Sequence, residues 1–338
     1  MQRVSAKDSE RGVVAPLTAL IMVFLLGMAA FAVDVASMYS EHAQLQNGAD
    51  ASALAIARQC SKSATPCAAN QSSAAAGYAN GNALDAHSNV LSAVADATAG
   101  TIDVTLQSQE PDGSNHFSLQ FARAIGIPTA DIGASATAKW GNPSSGKGFP
   151  LAFSQSCWNL GPATPAGGDV QKITWKPGTP SCTNSSGLTI PGGWGWLDDA
   201  SSDPCNAVTS VGDFTASNPG NNPPSTCQSI LQSWKDTLLA GGKVKVTFPI
   251  FDTASGSGNT GVFHIVGYAT FSIWGWHFGN AAGPYEFRDT ATDPGMNASL
   301  ACSGGNDRCI IGQFVEYTTS TGGGGGADFG TESVSLIK

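Results

Sequence analysis

Apolar positions along the chain fall into three successive patterns. Residues 13–33, VVAPLTALIMVFLLGMAAFAV, form an unbroken apolar run without a charged side chain. At 1.5 Å per residue it covers roughly 30 Å, the thickness of a bilayer's hydrocarbon core. Pro16 falls in its first turn, where a missing N–H costs least. With no Gly-Pro break, the pattern passes into helical spacing from Asp34 to about Gln59. Val35, Met38, Leu45, Ala49 and Ile56 share a stripe, largely at three- and four-residue steps, and Leu54 flanks it. Alanines fill much of the remainder and favour helix, against a mild local cost at Gly48. Such a stripe requires a partner, either the chain's own folded part or helices of neighbouring subunits.

The second pattern is mixed. An Ala-rich helix is expected from Ala68 to about Asn80. TIDVTLQS (101–108) alternates Ile102, Val104 and Leu106 with polar neighbours and reads as a strand. PDGSN (111–115) is a turn. HFSLQFARAIGI (116–127) reads as a strand followed by one helical turn, and DIGASATAKW (131–140) as another strand. GNPSSGKG (141–148) marks a boundary. Beyond it the third pattern is mainly β, with KVKVTFPIFD (243–252), VFHIVGYATFSIWGW (262–276) and CIIGQFVEYTT (309–319) as the clearest strands. Val244, Val246, Phe248 and Ile250 share one face of the first. One helix interrupts this region. Ser225 and Gln228 have capping-box spacing, Ile230, Leu231, Trp234 and Leu238 follow on one face, and Gly241-Gly242 ends it. GGGGG (322–326) reads as a flexible loop before a short last strand in TESVSLIK.

The expected fold class is therefore α+β. Residues 1–12 are a short cytoplasmic N-terminus and 13–33 a transmembrane helix. Residues 34–140 form a helix-plus-strands domain, and 149–338 a mainly β, disulfide-braced domain. Charge sets the orientation. Arg3, Lys7 and Arg11 precede the apolar run, Asp34 and Glu41 follow it, and the next basic residue is Arg58. This asymmetry places the N-terminus in the cytoplasm and the bulk of the chain outside, at the cell membrane. Ala30-Phe31-Ala32 has the form of a signal-peptidase site. The apolar run is longer than a usual signal-peptide core, however, and cleavage there would cut a continuous helical pattern, so an uncleaved signal-anchor is expected.

Composition narrows the function classes. Among 338 residues the net charge is −9, with Lys+Arg 16. There is no basic patch on the outer part, which argues against nucleic-acid binding. All eight cysteines, Cys60, Cys67, Cys157, Cys182, Cys205, Cys227, Cys302 and Cys309, lie beyond the anchor. An even number in an oxidising compartment suggests disulfides. No CxxC pair is present. Cys60–Cys67 and Cys302–Cys309 would each close a short loop, and the rest of the connectivity stays open.

Signals for chemistry are weak. His42, His87, His116, His264 and His277 are scattered, without HExxH. Asp289, Asp293 and Asn297 follow one another at four-residue steps that fit no EF-hand. No Gly-x-Ser-x-Gly elbow or Walker loop occurs. Gly256, Gly258 and Gly261 spell Gly-x-Gly-x-x-Gly, but a strand rather than a helix follows, so a hairpin loop is expected. Cys157 and His277 could form a dyad only if Cys157 were a free thiol. Trp194-Gly195-Trp196 and Trp274-Gly275-Trp276 each put two rings on one side of an extended strand, either as core or as an exposed platform for glycan or a partner. No cofactor and no metal is expected, and no enzyme activity.

The segment from Glu10 to Arg58 resembles the N-terminal segment of the Tad family, the TadG-like proteins of Flp-type (tight adherence) pilus assembly. The residues carrying the resemblance are Arg11-Gly12, the anchor, Ala32-Val33-Asp34, Tyr39, and the run Leu45-Gln46-Asn47-Gly48-Ala49-Asp50-Ala51-Ser52-Ala53-Leu54-Ala55. Gly48 and Ser52 stand where the family run has alanines. The region to Trp140 looks like such a protein's pilin-like proximal domain. Beyond 149, GGWGWLDD (192–199), PIFD (249–252), HIVGYATF (264–271) and CIIGQFV (309–315) look similar to the C-terminal module of actinobacterial TadG-like proteins, which has no known activity. The fifth residue after Gly12 is Leu17, not the Glu of processed pilins, so the chain is not expected to be the major filament subunit. The resemblance implies a non-catalytic accessory protein contacting other Tad/Flp assembly membrane proteins or pseudopilins and the lipid bilayer. Asp34, Tyr39, Leu45 and Asp50 are its candidate assembly contacts. A cell-surface adhesin or glycan-binding protein is the alternative.

Overall fold

A computed structural model of the chain describes residues 11–62, 67–160, 170–175, 193–198, 205–218, 223–256, 261–279, 283–302, 308–319 and 323–337. One long apolar N-terminal helix leads into a mixed α/β region, followed by a largely β region with disulfides. Two compact units result. The first comprises Met1–Ala138 with Leu336–Lys338, and the second Lys139–Ser335.

In the first unit, α1 (Arg11–Ser61) is a single uninterrupted helix. Its N-terminal part is long and apolar enough to cross a membrane, and its side chains from Val14 onward are almost all exposed. From Leu45 the stripe turns inward: Leu45, Ala49, Ala53, Ile56 and Ala57 are buried. Val35 stays exposed and Met38 and Leu54 are half-buried, so full burial starts at Leu45, about three turns after the stripe itself. The second helix, α2 (Ser72–Asn82), lies against α1 through Ala75 and Ala79. Gly48 and Ser52 meet that contact. A Cβ on Gly48 would come within 3.3 Å of the Ala79 Cα, and the Ser52 hydroxyl donates to the carbonyls of Gly48 (2.6 Å) and Ala75 (3.1 Å). Both departures from the alanine run thus fall where two helices approach closely.

The helix expected from Ala68 begins at Ser72 instead. The preceding residues are held extended along a strand: the Gln71 N–H donates to the Ala93 carbonyl and the Ala95 N–H to the Ala69 carbonyl. That strand, β1 (Ser88–Asp96), had no counterpart among the expected elements. It pairs antiparallel with β2 (Thr101–Ser108), and a bulge between Val90 and Ser92 interrupts its alternation. β2 buries Ile102, Val104 and Leu106 on one face, as its pattern requires. A two-residue ladder, β3 (Phe117–Ser118) with β4 (Thr129–Ala130), encloses a 3-10 turn at Ala122–Ile125. β5 (Gly133–Gly141) lies beside β2 and buries Ala134, Ala136 and Ala138.

The second unit centres on an eight-stranded sheet. Its strands are β7 (Leu151–Ser154), β8 (Gln171–Thr174), β9 (Trp194–Trp196), β11 (Phe214–Ala216), β12 (Val244–Ser255), β13 (Val262–His277), β14 (Glu286–Phe287) and β15 (Cys309–Val315). The main path runs β8-β15-β13-β12-β7-β9, and β11 and β14 add to β13. The boundary segment GNPSSGKG contains β6 (Ser145–Gly148), paired antiparallel with β10 (Ala207–Ser210). The predicted strand at 309–319 breaks at Glu316, and β16 (Tyr317–Thr319) pairs parallel with the last strand, β17 (Thr331–Leu336).

Helix α3 (Gln228–Leu239) forms without the expected capping box. No side chain caps it, and a 3-10 turn at Ser225–Cys227 precedes it, with the Cys227 N–H on the Pro224 carbonyl. The buried Cys205–Cys227 disulfide ties that entrance down. Leu231, Trp234 and Leu238 are buried. Gly241, at φ 80°, ends the helix, with the Gly242 N–H returning to the Thr237 carbonyl. The glycine run is paired in its described part: the Gly325 and Gly326 N–H groups donate to the Asn142 carbonyl, and the Gly323 carbonyl accepts from Ser144.

Candidate functional site

The most developed polar site of the first unit is built on Asp34, the first charged residue after the apolar run. Its neighbours Val33 and Val35 are exposed, yet Asp34 itself is only 3% exposed. The cover comes from the loop between β3 and β4. Oδ1 accepts the N–H of Gln120 at 2.8 Å, and Oδ2 accepts those of Phe121 at 3.0 Å and Ala122 at 2.6 Å. These amides open the 3-10 turn, so the carboxylate satisfies donors that the turn leaves free. Burial alone would raise the Asp34 pKa. The Ala122, Gln120 and Phe121 amides and the charge of Arg123 more than reverse this, and the carboxyl is held below its ordinary value.

The loop closes on itself behind this clamp. The Leu119 N–H donates to the Pro128 carbonyl and the Ile127 N–H to that of Ala122, while Gly126 adopts φ 91° and returns its N–H to Arg123. Two turns beyond Asp34, Glu41 meets the opposite environment. Burial comes first, and the nearby carboxylates of Asp85 and Glu110 add to it, so its pKa is pushed up.

The other candidate contacts spread along α1. Tyr39 is 75% exposed and Leu45 is buried. Asp50 is half-buried and accepts from the Gln46 side chain at 2.9 Å, and Gln46 also reaches the Ser135 carbonyl. Asp34, Leu45 and Asp50 therefore engage their own unit, while Tyr39 points outward. The loop that meets Asp34 lay outside any expected site. Its partner amides are 86 to 88 residues away, and no local pattern announces such a contact.

In the second unit, His277, Glu286 and Asp289 bring three possible ligand atoms within 4.8 Å of one another. His277 Nδ1 lies 2.7 Å from Asp289 Oδ2 and 3.9 Å from Glu286 Oε2. At 2.7 Å the first pair is a hydrogen bond that orients the ring, and a cation on Nδ1 would have to displace it. Asp293 and Asn297 do not join Asp289. Asp293 receives the N–H and hydroxyl of Thr290, and Asn297 receives Ser299 and the Leu300 N–H, as in local turns. His264 Nδ1 pairs with Asp252 Oδ1 at 2.7 Å. A shallow pocket lined by Gly146, Thr209, Thr247 and Tyr268 exposes no acid–base pair. The Tyr268 hydroxyl donates to the Thr209 carbonyl at 2.6 Å, and its pKa is raised, chiefly by burial.

Three of the four tryptophans of the Trp-Gly-Trp strands lie inside. Trp194, Trp196 and Trp276 are at most 2% exposed, and the first two meet edge to face at 5.0 Å. A bulge between Ile273 and Gly275 breaks the alternation that would place Trp274 beside Trp276, and Trp274 is half-buried. Cys60–Cys67 and Cys302–Cys309 are bonded, as is Cys205–Cys227. Cys157 is also in a disulfide and offers no thiol to His277. Cys182, Gly258 and residues 192 and 199 of the GGWGWLDD segment lie outside the described residues.

Residues 12–59 match the model of the Flp pilus-assembly TadE/G-like family, Tad. The matched segment begins at the foot of the apolar run, contains Asp34, Tyr39, Leu45 and Asp50, and ends one residue before Cys60. No curated protein and no solved structure matches the chain.

Proposed function

We propose that this chain is a membrane-anchored, non-catalytic accessory protein of Flp-type pilus assembly. Residues 1–12 lie in the cytoplasm, 13–33 span the membrane, and the domains 34–140 and 149–338 stand outside. The observation that carries this reading is the coincidence of the matched segment, 12–59, with one unbroken helix that changes from lipid-length apolar to half-buried without a joint. Partners would be other Tad/Flp membrane proteins or pseudopilins. Tyr39 and Val35, exposed just beyond the membrane, are the contact residues this reading selects. Asp34, Leu45 and Asp50 would act indirectly, by holding the helix to its own domain.

A photoreactive side chain at Tyr39, activated in native membranes, tests the reading. The expected product is an adduct with a protein of the pilus-assembly apparatus, absent when the same group replaces buried Leu45. Adducts to lipid alone, or none, would overturn the partner assignment.

A further inference from the structure

The loop clamped by Asp34 has an unusual surface. Phe121, Ile125 and Ile127 are 48%, 74% and 52% exposed, and from Phe121 to Thr129 the only charge is Arg123. Yet this loop is neither slack nor unpaired in its backbone. The β3–β4 ladder, the internal bonds of its 3-10 turn and the three amides on Asp34 all fix it. Three exposed apolar side chains on one short, fixed loop are a candidate contact surface.

Its position indicates what covers it. Asp34 follows Val33, the last residue of the apolar run, and the loop amides lie within 3.2 Å of its carboxylate. The headgroup layer on each side of a bilayer is about 5–7 Å thick. A four-residue 3-10 turn rises about 8 Å. The loop therefore cannot leave the neighbourhood of that layer. Ala30 gives the direction. It lies one turn before Asp34 on the same helix face, and it alone among residues 14–33 is half-buried. The loop thus flanks the last turn of the apolar segment rather than standing beyond it.

We propose that residues 119–128 form a second membrane contact. In this arrangement the phospholipid interface takes up Phe121, Ile125 and Ile127, and Arg123 extends its guanidinium to the phosphate level. Asp34 then has a role beyond topology, setting the loop at the depth of the interface. The inference rests on residues 13–33 being the transmembrane anchor.

Collision accessibility of single nitroxide labels, on the full chain in phosphatidylethanolamine/phosphatidylglycerol nanodiscs, tests both levels. Label sites are Ile125→Cys, Val23→Cys within the anchor, and Leu84→Cys. Leu84 is 88% exposed, and its N–H bonds the Gln44 side chain, ten residues (about 15 Å) along α1 from Asp34. The expected result is oxygen-rich, nickel-poor collision at Val23, free nickel access at Leu84, and nickel access at Ile125 reduced several-fold from that at Leu84 with oxygen access retained. Adding Asp34→Asn should restore nickel access at Ile125. Water-like behaviour at Ile125 with a lipid-like Val23 would overturn the proposal and leave the anchor standing. A water-like Val23 would remove the anchor itself. Shielding of Ile125 from both reagents would mean that a second copy of the chain covers the loop, which also overturns it.

Discussion

The two folded units reach order by opposite means. Among its described residues, the first unit buries no aromatic side chain. Its core is Leu45, Ile56, Ile102, Val104 and Leu106 set among small residues, Ala49, Ala53, Ala75, Ala79, Ala93, Ala136 and Ala138. Small side chains let helices and strands approach closely but remove little apolar area from water. The second unit buries Phe149, Phe153, Trp194, Trp196, Trp276, Phe248, Phe271, Phe278 and Phe314 in one cluster, with rings meeting edge to face at 5–6 Å, for example Trp196 on Phe278 at 5.3 Å. The first unit joins its alanine core with polar fastenings, such as Asp34 on the amides of Gln120 to Ala122. An aromatic core makes the second unit depend on geometry, above all where glycines admit a neighbour.

The sharpest way to break this comparison is to loosen the second unit alone. Replacing both Cys205 and Cys227 by Ala removes a fully buried disulfide that spans 22 residues and ties the entrance of α3. The expected loss is about 2–5 kcal/mol. All eight tryptophans lie at Trp140 or later, so tryptophan fluorescence in a denaturant titration follows the second unit. Hydrogen exchange of the α2 amides follows the first. A midpoint shift in fluorescence with unchanged α2 protection is expected. Parallel loss of both would show that the units unfold as one.

Glycine substitutions in the two Trp-Gly-Trp strands should have smaller, graded effects. A Cβ on Gly275 would run into the backbone carbonyl oxygens of Arg288 and Phe287, which cannot swing away. A Cβ on Gly195 would meet the ring of half-buried Phe263, which can. Overpacking typically costs 1–3 kcal/mol. Gly275→Ala is expected near or above about 3 kcal/mol and Gly195→Ala near 1 kcal/mol, read from the same titration. The reverse order would mean that the Phe263 ring is the more tightly held wall.

In the first unit, Asp34→Asn should act locally. One amide oxygen cannot serve three N–H groups, and the new NH₂ would point a donor at donors. Faster exchange at Gln120, Phe121 and Ala122 is expected, with tryptophan fluorescence unchanged. The pH dependence has a definite sign. The folded pKa lies below the unfolded one, so the clamp contributes fully above about pH 4 and is lost as pH falls through the lower folded value. In the wild-type chain, exchange at these three amides, corrected for intrinsic rate, should stay flat from neutral pH to about 4 and rise only below it.

How much of this was legible follows from the range of each interaction. The anchor and β13 are long apolar runs, the α1 stripe and β2 are local patterns of period 3.6 and 2, and the chain states all four directly. β1 escaped because a bulge at Leu91 breaks its alternation and its alanines suggest helix. Strand pairing over residues 69–71 delayed α2 in the same way, by overriding propensity. Ser225 and Gln228 have the right spacing for a cap, but a 3-10 turn and a disulfide fix that helix entrance instead. The glycine run promised slack, yet its backbone pairs with residues 142–144. At the candidate site the residue was legible and its partner was not. Asp34 stood out as a charge at a membrane boundary, whereas the amides that hold it lie far along the chain in a segment with no charge pattern to match.

Glu41 gives the smallest and most discriminating test, because it sits two turns from Asp34 on the same helix with the opposite shift. Partial burial and the carboxylates of Asp85 and Glu110 raise its folded pKa above the unfolded value. The charged form is therefore disfavoured in the fold, and stability rises as pH falls through the raised value. Glu41→Gln should stabilise the first unit at pH 7 by less than about 1 kcal/mol, since the site is partly solvated. The gain should vanish in acid, where the wild-type side chain is itself neutral. Measured by α2 exchange at pH 7 and again below about pH 4, a gain that persisted in acid would trace to packing instead of charge. Loss of stability at pH 7 would mean that the helix needs the Glu41 charge, and Asp34 and Glu41 would then no longer be opposites.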